Sequence, residues 1–173
     1  ICDTTKVLFI GNSYTYVNDL PSLIKQLSSS AGKNVITDMS ATGGYTLEGH
    51  TLLQTTIDMI NACRWNYVVL QEQSHYPVID HYRYNSMYPA YEMLDSMIRA
   101  NSSSSLFYMT WGRKIGGQQC IGGYCSPVFT DYFHMQDSLQ SSYTQISQIL
   151  GAKLCPVGLG WKKVLIMKPN TVL

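Results

Sequence analysis

Short apolar runs alternate along this chain with longer stretches in which apolar residues recur every three or four positions. The short runs predict buried strands, and the periodic stretches predict amphipathic helices. The predicted strands are Val7–Ile10, Val35–Met39, Tyr67–Leu70, Leu106–Thr110 and Lys153–Val157, and the predicted helices cover about residues 19–30, 47–61, 84–100, 131–150 and 159–167. This alternation predicts an α/β protein, a three-layer α/β/α sandwich around about five parallel strands. A serine-rich stretch before the fourth strand is typical of a loop.

Length and charge limit the possible functions. The 173 residues fit a single domain spanning residues 1–173, and no internal repeat suggests a second one. Because only 13% of the residues are charged and the net charge is +1, nothing indicates nucleic acid or an acidic membrane surface as a partner. No apolar run approaches the ~20 residues of a membrane helix. We therefore expect a soluble protein without a membrane span.

Cysteine usage favours an oxidising compartment. The five cysteines are Cys2, Cys63, Cys120, Cys125 and Cys155. Cys120 and Cys125 bracket Ile-Gly-Gly-Tyr and are predicted to form a disulfide, with free thiols as the alternative. Asn101-Ser102-Ser103 is a glycosylation sequon, and the chain begins at Ile1, as it would after signal-peptide removal or in an incomplete record. These features predict a secreted or lumenal glycoprotein.

Candidate catalytic residues follow the predicted strands. In an open parallel sheet the site lies beyond the carboxyl ends of the strands. Ser13 follows the first strand and could supply a nucleophilic Oγ. The backbone N–H groups of Ser13 and Gly44 and the side-chain amide of Gln73 could form an oxyanion hole, each donor contributing ~3 kcal/mol. A glycine at position 44 would let the backbone approach closely without a Cβ.

The block Gly11–Thr15, which reads Gly-Asn-Ser-Tyr-Thr, resembles the first block of the SGNH (GDSL-like) hydrolases. It is similar to the branch of that family in which this block replaces Gly-Asp-Ser-Leu. The resemblance implies a flavodoxin-like sandwich and an esterase activity, with Ser13 as the nucleophile.

Three further segments carry the resemblance. Ala41–Leu47 is similar to the second block and places Gly44 at its oxyanion glycine. Val68–Ser74 occupies the third block, with Gln73 where the family has its oxyanion asparagine. Tyr108–Arg113 also resembles this branch.

The fourth block of the family, Asp-x-x-His, supplies the general base and the residue that orients it. No such block occurs after residue 134. Three explanations stay open: the recorded chain is truncated, another histidine serves, or the protein is a non-catalytic scaffold. Among the internal histidines, His75 is the best substitute base, followed by His134. His50 lies on a predicted helix, and His81 lies among tyrosines.

Two other features are interpreted structurally. Glu72 is predicted to cap backbone N–H groups or to pair with Arg113, in preference to a catalytic role. The tyrosine-rich stretch Tyr76–Tyr91 is predicted to be a helix face and its lead-in, with stacking on a sugar or packing on a partner protein as alternatives.

The functional expectation is a serine esterase that forms an acyl-enzyme on Ser13. The family resemblance implies a small acyl or acetyl ester as substrate, with an acylated carbohydrate as one candidate, and no cofactor or metal. The alternative is a catalytically inactive SGNH-fold subunit that binds protein partners in an extracellular assembly. A mononucleotide-binding role is disfavoured because Tyr14 and Tyr16 crowd the position of a phosphate loop.

Overall fold

A computed structural model describes residues 4–168 of the chain. Within these residues the strands are β1 (Thr5–Gly11), β2 (Val35–Ala41), β3 (Tyr67–Leu70), β4 (Ser104–Tyr108), β5 (Cys120–Ile121), β6 (Tyr124–Cys125) and β7 (Lys153–Cys155). Five of them form one parallel sheet in the order β2-β1-β3-β4-β7, and β5 and β6 form a separate antiparallel hairpin. This order is that of a flavodoxin-like sheet, so the predicted fold class is confirmed.

Helices cover both faces of the sheet. The α-helices are α1 (Ser13–Tyr16), α2 (Leu20–Ser30), α3 (Leu47–Leu52), α4 (Gln54–Ala62), α5 (Asp80–Tyr82), α6 (Tyr88–Ala100), α7 (Tyr132–Leu150) and α8 (Val157–Met167), with a 3₁₀ turn at Tyr76–Val78 and a π turn at Arg83–Met87. None of the helices in the described part of the chain is long and apolar enough to cross a membrane.

The predicted helix 47–61 is wrong as one continuous element. The chain is extended at Leu53, which ends α3 and precedes α4. The break lets the ring of His50 reach the hydroxyl of Thr56 at 2.8 Å. Residues six apart lie on different faces of a continuous helix, so this contact requires the break. Leu52 fits the apolar periodicity of the predicted helix, yet it is 80% exposed.

Strand β4 covers Ser104–Tyr108, two residues earlier at both ends than the predicted Leu106–Thr110, and buried serines lie at and just before its start. The Oγ of Ser105 donates to Oδ1 of Asp95 at 2.5 Å, and the Oγ of Ser103 accepts from the backbone N–H of Trp65 at 3.0 Å. Hydrogen-bonded serine hydroxyls can therefore be buried at the start of this strand. Next to β4, at the edge of the sheet, Pro156 follows β7 and has no N–H to extend the ladder, so the strand ends at Cys155.

The two faces of the sheet differ in how closely they are covered. The larger core packs α3, α4, α6 and α7 against β1, β3 and β4, with Tyr91, Phe107 and Tyr143 fully buried. The opposite face, under α2 and α8, holds a smaller cluster that includes Val7 and Phe9. An apolar cavity of about 310 Å³ remains there.

Parallel pairing brings the strand ends to one edge. In the ladder Gly11 pairs with Ala41, and Ile10 pairs with Leu70. The loops that follow β1, β2 and β3 therefore start at the same level of the sheet, and the predicted site residues lie on these loops.

Candidate active site

Asn12 and Ser13 form the turn between β1 and α1. Asn12 is buried and caps α1 by accepting a hydrogen bond from the backbone N–H of Tyr14 at 3.2 Å. Its Nδ2 donates to the backbone carbonyl of Tyr45 at 2.9 Å, which joins this turn to the loop after β2. Ser13, the first residue of α1, is partly exposed. Neither its N–H nor its Oγ is hydrogen-bonded to another residue in the range 4–168.

Gln71 is an important residue of this site that the sequence did not single out. Its buried Oε1 accepts from the backbone N–H of Asn12 and from the hydroxyl of Thr15, both at 2.9 Å. Its Nε2 donates to Oδ1 of Asn12 at 3.0 Å and to the carbonyl of Glu72 at 2.6 Å. One amide thus fixes the serine turn against the loop after β3. The sequence signal that could have identified Gln71 is its place, as an amide side chain directly after the apolar run of β3.

Close approach of neighbouring side chains requires a glycine at position 11, and not at position 44. A Cβ at Gly11 would lie 2.5 Å from Oγ1 of Thr15 and 2.6 Å from Oε1 of Gln71. A Cβ at Gly44 would meet nothing within 4 Å, but this residue has a φ of +69°. Glycine is favoured at position 44 because it reaches this left-handed conformation without steric cost. The N–H of Gly44 has no hydrogen-bond partner among the described residues.

Gln73 follows Glu72 on the loop after β3. Its Oε1 accepts from the backbone N–H of His75 at 2.7 Å, so its Nε2 points away from that bond. Within residues 4–168, no hydrogen bond engages this Nε2. The three predicted oxyanion donors, at Ser13, Gly44 and Gln73, therefore all have an N–H available to a ligand.

Glu72 caps backbone N–H groups, as the first of its two predicted roles requires. Its Oε1 accepts from the N–H of Gln73 at 2.6 Å and from the N–H of Leu47 at 3.1 Å. Burial raises the pKa of this carboxyl to about 7; the two backbone hydrogen bonds oppose the rise, and the charge of Glu48 adds to it. Arg113 does not pair with Glu72 and instead contacts His75.

His75 lies on the same loop, with its Nε2 against the guanidinium of Arg113. Since arginine can only donate, this Nε2 accepts and the ring proton of a neutral His75 is on Nδ1. Nδ1 is buried without a partner among the described residues, and burial together with Arg113 lowers the pKa of the ring. Its one accepting nitrogen is thus already engaged, and no hydrogen bond joins it to Ser13. Its role as the base stays a prediction.

The remaining histidines have contacts that do not include Ser13. His50 is fully buried between the carbonyl of Gly11 and the hydroxyl of Thr56, each at 2.8 Å, and burial lowers its pKa. His81 stacks on Tyr124, with 3.5 Å between ring centroids.

Asp131 and His134 have the Asp-x-x-His spacing but form a helix cap. Oδ1 of Asp131 accepts from the backbone N–H of His134 at 2.9 Å, and this lowers the pKa of the carboxyl. Nδ1 of His134 is 3.3 Å from the backbone nitrogen of Thr130. The aspartate therefore orients the start of α7 and not the imidazole ring.

Aromatic side chains border the site. Tyr14 stacks on Trp111, with ring centroids 4.8 Å apart and planes 7° from parallel. Tyr88 and Tyr91 are buried on α6, which confirms a helix face for the end of the tyrosine-rich stretch. Tyr82 donates to the carbonyl of Ile121 at 3.3 Å and so contacts the β5–β6 hairpin.

The predicted disulfide between Cys120 and Cys125 is present and closes this hairpin. Cys63 and Cys155 are unpaired within the described part of the chain, whereas Cys2 lies outside it. Across residues 4–168, no group of three or more His, Cys, Asp or Glu side chains is arranged to hold a metal ion.

Comparisons with known proteins agree with this geometry at the level of fold. No protein-family model matches the sequence, and no curated protein matches it. A solved structure assigned as an SGNH hydrolase from Slackia heliotrinireducens is 21% identical, with a TM-score of 0.71 over 93% of this chain and 83% of that one. A DUF4886 family protein from Bacteroides uniformis is 19% identical, with a TM-score of 0.67 over 90% and 68% of the two chains.

A third similar structure is the psychrotrophic esterase EstA from Pseudoalteromonas sp., solved in a form inhibited by monoethylphosphonate. It is 13% identical, with a TM-score of 0.59 over 87% of this chain and 76% of that one. At these identities the likeness concerns the fold. The chain therefore has the fold of the SGNH (GDSL-like) hydrolases, as its sequence blocks predicted.

Proposed function

We propose that this protein is a serine ester hydrolase of the SGNH type, with Ser13 as nucleophile. The observation that carries the proposal is the joining of three loops at the carboxyl edge of the sheet. Asn12 links the serine turn to the loop of Gly44, and Gln71 links it to the loop of Gln73. Each loop contributes one N–H donor that no described residue occupies.

The proposed reaction is acyl transfer in two steps. Oγ of Ser13 attacks the ester carbonyl carbon while its proton passes to a general base, and the alcohol leaves with that proton. Water then attacks the acyl-enzyme, releases the acid and restores the hydroxyl. Backbone N–H groups of Ser13 and Gly44 and the amide of Gln73 would stabilise the oxyanion in both steps. No histidine among residues 4–168 is hydrogen-bonded to Ser13, and His75 stays the candidate base.

The proposed substrate is a small acyl or acetyl ester, and an acylated carbohydrate is one candidate. Uncharged amide donors suit a neutral ester carbonyl, and the chemistry requires neither a cofactor nor a metal. The stacked pair Tyr14 and Trp111 lies beside the nucleophile and offers an aromatic surface to the group that flanks the ester.

We further propose a secreted or lumenal location, which the disulfide supports. The sequon supports it less strongly. Nδ2 of Asn101 donates to Oδ1 of Asn61 at 2.8 Å and to the carbonyl of Met97 at 3.0 Å. A glycan on this nitrogen would replace one of its two hydrogens, so glycosylation would remove one of these bonds. Glycosylation stays a prediction.

A fluorophosphonate probe tests the proposal on the full natural chain. We expect a covalent adduct on Ser13, found by peptide mass spectrometry and lost in Ser13→Ala. Ser74, a partly exposed serine on the neighbouring loop, provides the matched control, and Ser74→Ala should be labelled like the wild type. Hydrolysis of p-nitrophenyl acetate should follow the same pattern. Folded wild-type protein without an adduct would refute the esterase and favour the non-catalytic binding subunit.

A further inference from the structure

Glu72 is placed between the two loops that carry the second and third oxyanion donors. A single oxygen, Oε1, accepts from the N–H of Gln73 and from the N–H of Leu47, three residues after Gly44. The side chain is completely buried. Its other oxygen, Oε2, has no hydrogen-bond partner among the described residues. The carboxyl therefore holds two loops together without contacting the nucleophile.

We propose that Glu72 is a positioning residue, and that its ionised carboxylate is the form that holds the Gly44 and Gln73 loops in the arrangement needed for oxyanion stabilisation. The proposal rests on the proposed function, because that function assigns the two donors. Beyond that function, the proposal assigns a role to Glu72, which acts through the two donors, and makes activity depend on the ionisation of its carboxyl.

The ionised form is the better clamp for two reasons. Hydrogen bonds from N–H groups to a carboxylate are shorter and about twice as strong as those to a neutral acceptor. Protonation of Glu72 would also place a hydrogen on Oε2, an oxygen that makes no hydrogen bond with residues 4–168. A protonated carboxyl would thus hold Leu47 and Gln73 less firmly.

Burial, more than the groups that face Glu72, raises the pKa of its carboxyl. Glu48 on α3 repels its negative charge, and the phenols of Tyr76, Tyr91 and Tyr143, on three other segments, are near enough to feel that charge. No salt bridge to Glu72 is present in the described part of the chain. Burial without a cation therefore raises its pKa to about 7, and the clamp weakens as the pH falls through this value.

Two variants separate positioning from a general structural role. Glu72→Gln keeps the accepting oxygen but cannot ionise. We expect its kcat at pH 8 to fall about tenfold with KM little changed, less than the roughly hundredfold effect of a 1 Å misplacement. Glu48→Gln removes the repelling charge and keeps an oxygen for the hydroxyl of Ser86. It should retain the plateau kcat and shift the acidic limb of the pH profile to lower pH.

Amide NMR gives a readout that does not depend on catalysis. In the wild type, the backbone amide signals of Leu47 and Gln73 should titrate together near pH 7, and Glu72→Gln should abolish this titration. If the amides titrate but Ser13 is never labelled, the clamp exists and the proposed function fails. If Ser13 is labelled while Glu72→Gln leaves kcat and the pH profile unchanged, the positioning role is refuted. If Glu48→Gln does not move the acidic limb, the assignment of that limb to Glu72 is refuted.

Discussion

Replacing Gly11 with alanine directly tests the packing of the serine turn. The new methyl group would lie 2.5 Å from Oγ1 of Thr15 and 2.6 Å from Oε1 of Gln71. Both neighbours are buried, and Gln71 is held by hydrogen bonds to Asn12 and Glu72. Neither can move away without breaking bonds that fix the turn.

The expected loss of stability has two parts. Forcing a methyl group into a packed site costs about 1–3 kcal/mol. Losing one or two buried hydrogen bonds adds about 1 kcal/mol each. We therefore expect Gly11→Ala to lower the free energy of unfolding by about 2–5 kcal/mol, which many domains survive.

Gly160 provides the matched control, since it lies in α8 and a Cβ there would meet nothing within 4 Å. Gly160→Ala should stabilise the protein by about 0.5–1 kcal/mol through helix propensity. Urea unfolding followed by circular dichroism measures both changes. The folded Gly11→Ala protein should also react more slowly with the fluorophosphonate probe. Equal stability of Gly11→Ala and the wild type would refute the close approach at Gly11.

Two further predictions concern pH and the hairpin. The pKa of Glu72 rises from 4.5 in the unfolded chain to about 7 in the folded protein, so the native state binds this proton more tightly. The contribution of Glu72 to the free energy of unfolding therefore falls as the pH rises between these values. The free energy of unfolding of Glu72→Gln relative to the wild type should increase by about 3 kcal/mol from pH 4 to pH 8 in urea titrations. A constant difference would contradict this linkage. Replacing both Cys120 and Cys125 with serine should lower the unfolding free energy by up to about 2 kcal/mol, because the disulfide closes a short loop; an unchanged urea midpoint would argue against that contribution.

The sheet could be predicted because its strands are buried on both faces. An uninterrupted apolar run such as Val7–Ile10 has few alternatives to a central strand, and its observed bounds, Thr5–Gly11, extend it by one or two residues. Prediction failed where polar side chains are buried. Ser105 pairs with Val68 in the β3–β4 ladder, and its hydroxyl can be buried there because Asp95 accepts its hydrogen bond. The local sequence gives no sign of that partner.

The break between α3 and α4 could not be predicted for a related reason. Leu52 and Leu53 both fit a helical stripe, so periodicity favours one helix. The structure exposes Leu52 and bends the chain at Leu53, and the contact between His50 and Thr56 spans the bend. The other ring nitrogen of His50 is hydrogen-bonded to the carbonyl of Gly11. The unpredicted break between the helices therefore affects the position of the serine turn.

In the candidate site, too, the place of a residue after a strand could be predicted, whereas its hydrogen-bond partners could not. Ser13, Gly44 and Gln73 could be proposed as site residues from the sequence because they follow strands at the carboxyl edge and resemble family blocks. Gln71 and Glu72 are adjacent in sequence but join different pairs of loops, and only their tertiary partners reveal this. These links hold the turn of Ser13 and the loops of Gly44 and Gln73 without a hydrogen bond from a histidine ring to Ser13. In the proposed function, the links that place the oxyanion donors are therefore separate from the general base. For this reason fluorophosphonate labelling tests the nucleophile, whereas the titration of Glu72 tests the loops that surround it.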